Sequence, residues 1–230
     1  MVTQQELSSP LFLLNLKAYP VGLGPGALYI GRRLGRLGKR YGVNVAIAPV
    51  PSLMGWLSRE LPIPVISQHA DPRLPGASTG YVIPAALKAA GVKGSLLNHA
   101  EHPLAPEVLK ETAHMLEAEG LAAVVCAGDE KQAVMLAELC HPPYLAVEPP
   151  ELIGGKVSVS KARPEVVSGT VEAVRRVSPN TCVLCGAGVH DREDVRKALE
   201  LGAKGVLLAS AVAAAKNPEE AMKELLAGFK

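Results

Sequence analysis

The sequence predicts an α/β fold in which parallel strands alternate with helices, laid out as one domain over residues 1–230, and three observations predict it. Eight short apolar runs rich in β-branched residues recur along the chain, each giving way to an amphipathic helical stretch. The runs are apolar throughout rather than alternating, as suits strands covered by helices on both faces. Finally, 230 residues at 48% hydrophobic content are enough for one large core. Such repetition implies right-handed crossovers but leaves a closed barrel and a doubly wound open sheet both open.

In chain order the strands are expected at 11–16, 43–48, 64–68, 95–98, 122–126, 144–147, 181–185 and 205–208. Helices are expected at 106–119, 130–139, 163–177, 191–201 and 218–228. Their ends carry start and stop signals: Asn217 before Pro218, Asp191 opening a turn, and Gly120 and Gly202 closing helices. Gly22-Leu23-Gly24-Pro25-Gly26-Ala27 loosely matches a dinucleotide-binding glycine fingerprint. The acidic residue that should follow about 20 positions on is missing, because that stretch reads Ala46-Ile47-Ala48-Pro49. These glycines are therefore read as a flexible loop entering a helix. The long polar segment 69–80, rich in Pro and Gly, is expected to serve an active site or a contact between subunits.

Composition narrows the function. With 24 Lys and Arg against 22 Asp and Glu the net charge is +2, and no basic stripe is present to follow a phosphate backbone. No nucleic-acid partner is therefore expected, and a small molecule is. The N-terminus has no basic region leading into an apolar stretch and no run reaches spanning length, so no membrane partner and a cytoplasmic location are expected. Four scattered cysteines fit a reducing compartment. Cys182 and Cys185 form a CxxC, but three residues apart on a strand they point to opposite faces and read as core thiols.

The chemistry-bearing residues gather at strand ends: Asn15 and Lys17, Gln68, His99 with Glu101, Asp129, Glu148, Gly186-Ala187-Gly188, and Ala209-Ser210. Each alone has an ordinary explanation as a solvated or structural residue. Together, one cation, one imidazole and one carboxylate at one end of a ring of strands suit abstraction of a proton beside a carbonyl. The carboxylate takes the carbon-bound proton, and the imidazole and ammonium steady the resulting oxyanion. Such chemistry requires no cofactor and no metal. The small residues after the last two strands suit backbone N–H groups approaching an anion.

The motifs Asn15-Leu16-Lys17, Asn98-His99-Ala100-Glu101, Val125-Cys126-Ala127-Gly128, Glu148-Pro149-Pro150-Glu151-Leu152-Ile153-Gly154, Cys185-Gly186-Ala187-Gly188 and Leu208-Ala209-Ser210 together resemble the triosephosphate isomerase family, in its shorter archaeal form. The resemblance covers essentially the whole chain. It implies a (β/α)8 TIM barrel that interconverts dihydroxyacetone phosphate and D-glyceraldehyde 3-phosphate, in glycolysis and gluconeogenesis, without a cofactor. It implies Glu148 as the base, His99 as the electrophile, and Lys17 as the cation facing the enediolate and phosphate. Asn15 would bind substrate oxygens, Ile153, Gly154, Gly188, Ala209 and Ser210 would offer backbone contacts to the phosphate, and Glu101 would help place Lys17. A helix N-terminus that keeps the imidazole neutral is a known feature of this family, and a helix start at Pro103 or Pro106 is compatible with it.

Three positions depart from the family pattern. Ala100 stands where a Ser hydroxyl would hold the base with the lid open, Gly155-Lys156-Val157 replaces the usual end of the lid, and Ala209-Ser210 replaces Gly-Gly. The resemblance also implies a homo-oligomer, dimer or tetramer with the tetramer favoured, in which 69–80 is the projecting contact loop. Sparse Asn and Gln with 19 prolines suggest a thermophilic source. The competing readings are a Schiff-base aldolase using Lys17, a catalytically silent phosphate-binding or assembly module, and a weaker metal site at His99 and His102.

Overall fold

The computed structural model describes residues 6–149, 164–186 and 188–230. Seven parallel strands form one sheet: β1 (Leu11–Asn15), β2 (Asn44–Ala48), β3 (Gly94–Leu97), β4 (Ala122–Ala127), β5 (Tyr144–Val147), β6 (Cys182–Cys185) and β7 (Gly205–Leu208). Their order is β2-β1-β7-β6-β5-β4-β3. The gap between β2 and β3 is filled by residues 64–68, which pair through single bridges, Ile47 with Val65 and Ser67 with Ser95. Ile66 N–H donates to the Ile47 carbonyl at 2.9 Å and Ser67 N–H to the Gly94 carbonyl at 2.8 Å. The expected strand at 64–68 is thus the eighth stave that closes the ring, hydrogen-bonded on both sides but too short for a continuous ladder. Pro64 has no N–H to give, which shortens its pairing further. The closed ring rules out the open sheet and bears out the barrel.

Two apolar layers follow from the two-residue period of a strand. In β1, Leu11 and Leu13 face the interior with Ala46, Ile66, Leu96, Val124 and Leu184. Phe12 and Leu14 face outward into the layer shared with the helices. Those helices are α1 (Pro25–Tyr41), α2 (Met54–Glu60), α3 (Pro84–Ala89), α4 (Pro106–Ala118), α5 (Glu130–Cys140), α6 (Pro164–Val177), α7 (Arg192–Glu200), α8 (Ser210–Ala213) and α9 (Pro218–Leu226). Helix α1 shows the logic: Ala27, Ile30, Leu34 and Leu37 recur at helical spacing and are buried, Pro25 opens it, and Gly42 closes it at φ 71°. Each large side chain in such a stripe contributes about 1.5–3 kcal/mol on burial. Among the described residues no helix is long and apolar enough to cross a membrane.

Helix ends fall where the sequence puts them. Asp129 caps α5 by accepting from Gln132 N–H at 2.7 Å, and Asn217 caps α9 by accepting from Glu220 N–H at 3.2 Å. Asp191 and Asp194 cap α7 reciprocally. Segment 69–83 contains neither helix nor strand, as expected of a long loop.

Candidate active site

The C-terminal ends of the strands open into a pocket enclosing about 470 Å³, mouth included, lined by Asn15, Lys17, His99, Glu148, Gly188, Ala209 and Ser210. Seven expected residues therefore share one cavity, whereas Gln68, Glu101, Gly186 and Asp129, which caps α5, do not line it. Ile153 and Gly154, and the lid positions from 150 to 163, lie outside the described residues, as does Ala187.

At the end of β1, Asn15 is buried and its Oδ1 accepts from the Lys17 N–H at 2.9 Å. Lys17 has φ 46°, a conformation that costs a non-glycine residue energy and persists only where its surroundings hold it. The holder on the other side is Gln68, whose Nε2 donates to the carbonyls of Lys17 at 3.1 Å and Ala48 at 3.0 Å. The Lys17 ammonium then donates to Glu101 Oε1 at 2.6 Å, with the lysine side chain only 16% exposed against 59% for its partner. This holds the largely buried cation at the pocket wall. It also engages the amine with a carboxylate, unlike the apolar surroundings that make a Schiff-base nucleophile of lysine.

His99 sits just past β3 in a turn that Asn98 begins at φ 58°. Asn98 anchors both ends of that turn, donating from Nδ2 to the Cys126 carbonyl at 2.9 Å and accepting at Oδ1 from Leu104 N–H at 2.9 Å. The ring is buried, and its Nδ1 accepts from the Glu101 N–H at 3.1 Å. An Nδ1 that accepts has no proton, so the neutral ring carries its proton on Nε2 and is a donor there. Burial lowers the pKa of His99 from its usual value, Lys17 lowers it further, and Glu101 opposes them. The helix start expected at Pro103 or Pro106 falls at Pro106, where α4 begins, and one amide of the turn before it fixes the tautomer.

Glu148 follows β5 directly and is buried, tied to the ring by its N–H to the Ala127 carbonyl at 2.8 Å. Its Oε2 lies 3.8 Å from His99 Nε2. That spacing is too long for a hydrogen bond yet short enough for both groups to reach one small ligand. Behind the carboxyl lies the Cys126 thiol, hydrogen-bonded to it and raised well above its usual pKa by burial and then by the Glu148 charge. Gly186 forms the other support: a Cβ there would stand 2.9 Å from both Cδ and Oε1 of Glu148. Glu148 also borders a second cavity, lined among others by Ala100, Gly128 and Gln132. The carboxyl thus stands between two chambers, with a methyl in the rear one where the family pattern has a hydroxyl.

The far end of the pocket is built by the loops after β6 and β7. Gly188 has φ 68°, and Ala209 and Ser210 lead into α8. Tyr19 and His190 line the same pocket and were not among the expected site residues. The sequence offered a weak signal for each: both fall within four residues of an expected site position, on loops that leave strand ends. Other expectations resolve differently. Cys182 packs toward the barrel interior and Cys185 among the outer layer, so the CxxC is no redox pair in this geometry. His102 stacks on His69 with ring centroids 4.1 Å apart, and among the described residues no group of three or more His, Cys, Asp or Glu could hold a metal ion.

Comparison with known proteins matches nearly the whole chain. Residues 10–225 match the family model described as triosephosphate isomerase. The chain is 42% identical over 220 residues to the triosephosphate isomerase of Methanothermus fervidus, covering 96% of this chain and 99% of that protein. It is 43% identical over 225 residues to that of Methanopyrus kandleri, covering 97% and 99%. With that of Methanocaldococcus jannaschii it shares 41% over 216 residues, covering 94% and 98%.

Proposed function

The chain belongs to the triosephosphate isomerase family, and from that premise we propose that Glu148, His99 and Lys17 carry its reaction. It interconverts dihydroxyacetone phosphate and D-glyceraldehyde 3-phosphate, a step of glycolysis and gluconeogenesis. The observation that supports these assignments is the shared pocket, in which a buried carboxylate stands 3.8 Å from a neutral imidazole and a lysine lines the same cavity.

Glu148 removes a proton from the carbon bearing the hydroxyl and returns it to the neighbouring carbon, while the hydroxyl proton passes to the former carbonyl oxygen beside His99, so no net proton is gained or lost. His99 Nε2–H donates to the carbonyl oxygen, which becomes the enediolate oxyanion. A neutral imidazole suits that role because its donor strength is close to that of an enediol, so it polarises the oxygen without trapping the intermediate. Lys17 adds positive charge beside the oxyanion and the phosphate. Asn15 binds substrate oxygens and holds Lys17 in its strained conformation. Backbone N–H groups of Gly188, Ala209 and Ser210, with Ile153 and Gly154 of the lid, receive the phosphate. No cofactor takes part in this scheme.

The single-domain reading of residues 1–230 and the cytoplasmic location belong to the same proposal, as does a homo-oligomer with the tetramer favoured and 69–80 as a contact loop. The deciding experiment is a coupled assay with glyceraldehyde 3-phosphate on the unaltered protein beside Glu148→Gln. The substitution should leave folding intact and reduce kcat by orders of magnitude. Wild-type turnover in Glu148→Gln would remove Glu148 from the reaction.

A further inference from the structure

His190 lines the pocket together with Gly188, Ala209 and Ser210, and its Nε2 is shut off from solvent with no hydrogen-bond partner among the described residues. A buried polar atom left unpaired costs free energy, and a native fold keeps one where something absent from the resting protein will satisfy it. The backbone beneath this ring is firmly held. His190 N–H donates to Asp194 Oδ2 at 2.8 Å, Asp194 is buried in the cap of α7, and Val189 beside it is buried. The held backbone keeps the half-buried ring at the pocket wall, where a turn about its side-chain bonds brings Nε2 to a ligand.

We propose that His190 Nε2 is a phosphate contact, donating a hydrogen bond to the phosphate group of the bound triose phosphate. The inference rests on the isomerase reading and adds a side-chain donor where that reading supplies backbone amides. The neighbouring wall is chemically sparse: Gly188, Ala209 and Ala211 carry no polar side-chain atom, which leaves Ser210 and His190. A phosphate group presents three strong acceptor oxygens, each able to take more than one hydrogen bond, so the backbone N–H groups already assigned to it leave acceptor sites open. A ring nitrogen in this wall satisfies both the ligand's surplus of acceptors and its own lack of a partner.

The test uses the full-length protein with His190→Ala and His190→Gln, since the glutamine amide nitrogen reaches close to the position of the imidazole Nε2. Binding of inorganic phosphate is measured by calorimetry, KM and kcat for glyceraldehyde 3-phosphate by coupled assay, and folding by thermal melting. His190→Ala should weaken phosphate binding and raise KM by roughly ten- to a hundredfold, as for a lost hydrogen bond to a charged group, while kcat falls less. His190→Gln should recover most of the loss. Phosphate binding within twofold of the unaltered protein in His190→Ala overturns the proposal. So does equal impairment of both variants accompanied by equal loss of melting temperature, which marks a structural role. Failure of the unaltered protein to isomerise would strike the isomerase reading instead, and the phosphate calorimetry would still decide the role of His190.

Discussion

The residue whose chemistry is most tightly set by its surroundings is His99. Its Nδ1 accepts from the Glu101 amide, and burial followed by the Lys17 charge disfavours the imidazolium. In the unfolded chain the ring takes up a proton near the ordinary value of 6.5, whereas the native ring does so only at lower pH. Above that ordinary value the residue is neutral in both states and the shift has no effect. Below it the unfolded chain binds the extra proton, so stability falls with pH until the native pKa is passed and then levels off. Nitrogen-15 NMR of labelled histidine should show His99 as the Nε2–H tautomer with no titration between pH 7 and 8; a protonated ring in that window would contradict the assignment. Glu148 is set sterically by Gly186. Gly186→Ala places a Cβ 2.9 Å from the carboxyl carbon and oxygen, and the base must shift. A misplacement of that order costs about a hundredfold in rate, so kcat should fall by roughly ten- to a hundredfold with the melting temperature nearly unchanged. Asn15, Lys17, His99 and Glu148 were legible in the sequence because a strand end is readable from an apolar run and its first polar residue. The proton position on His99, the supporting roles of Cys126 and Gly186, and the presence of Tyr19 and His190 were not. They depend on which loops come face to face when the ring closes, and no local pattern encodes that.

Among the elements, α7 links a local sequence signal directly to the pocket. Asp191 Oδ1 accepts from Asp194 N–H at 2.8 Å, while Asp194 Oδ2 accepts from the N–H groups of Asp191 at 3.3 Å and His190 at 2.8 Å. One carboxylate thus caps a helix and fixes the loop after β6. Asp194→Ala removes that reciprocal cap and should cost about 1–2 kcal/mol, lowering the melting temperature by roughly 2–8 °C for a chain of this size. It should also raise KM, because the loop that bears Gly188 and His190 loses its anchor. A melting curve unchanged within a degree would show the cap to be dispensable. Such caps are short-range chemistry, which is why Asp191, Asn217, Gly120 and Gly202 marked helix ends correctly from sequence. Residues 64–68 show the converse. Their apolar run reads as an ordinary strand, yet they pair by one bridge on each side. Pairing length depends on how the neighbours β2 and β3 are placed as well as on Pro64 in the run itself.

For the whole molecule, ring closure turns scattered positions into one pocket, and the same closure joins the long loop to that pocket. Asp71 holds the loop base, accepting from Val82 N–H at 2.7 Å and lying 3.1 Å from His69 Nε2. His69 in turn stacks on His102, three residues beyond His99. Further out, Arg73 packs over the Tyr81 ring at 4.7 Å and Leu74 is 73% exposed. A single exposed leucine is ordinary on a protein surface, so the expectation for 69–80 rests on the family resemblance together with this rigid base. If the loop docks on a second copy, Leu74→Glu puts a charge into an apolar contact, where it is costly to bury unpaired. Sedimentation velocity should then show an oligomer for the unaltered protein and smaller species for Leu74→Glu. Because the loop base is stacked on the catalytic turn, kcat should fall along with dissociation and recover as protein concentration is raised. A monomer at micromolar concentration with full activity would sink the assembly proposal and leave the chemistry of the pocket untouched, since each group assigned to the reaction is supplied by one chain.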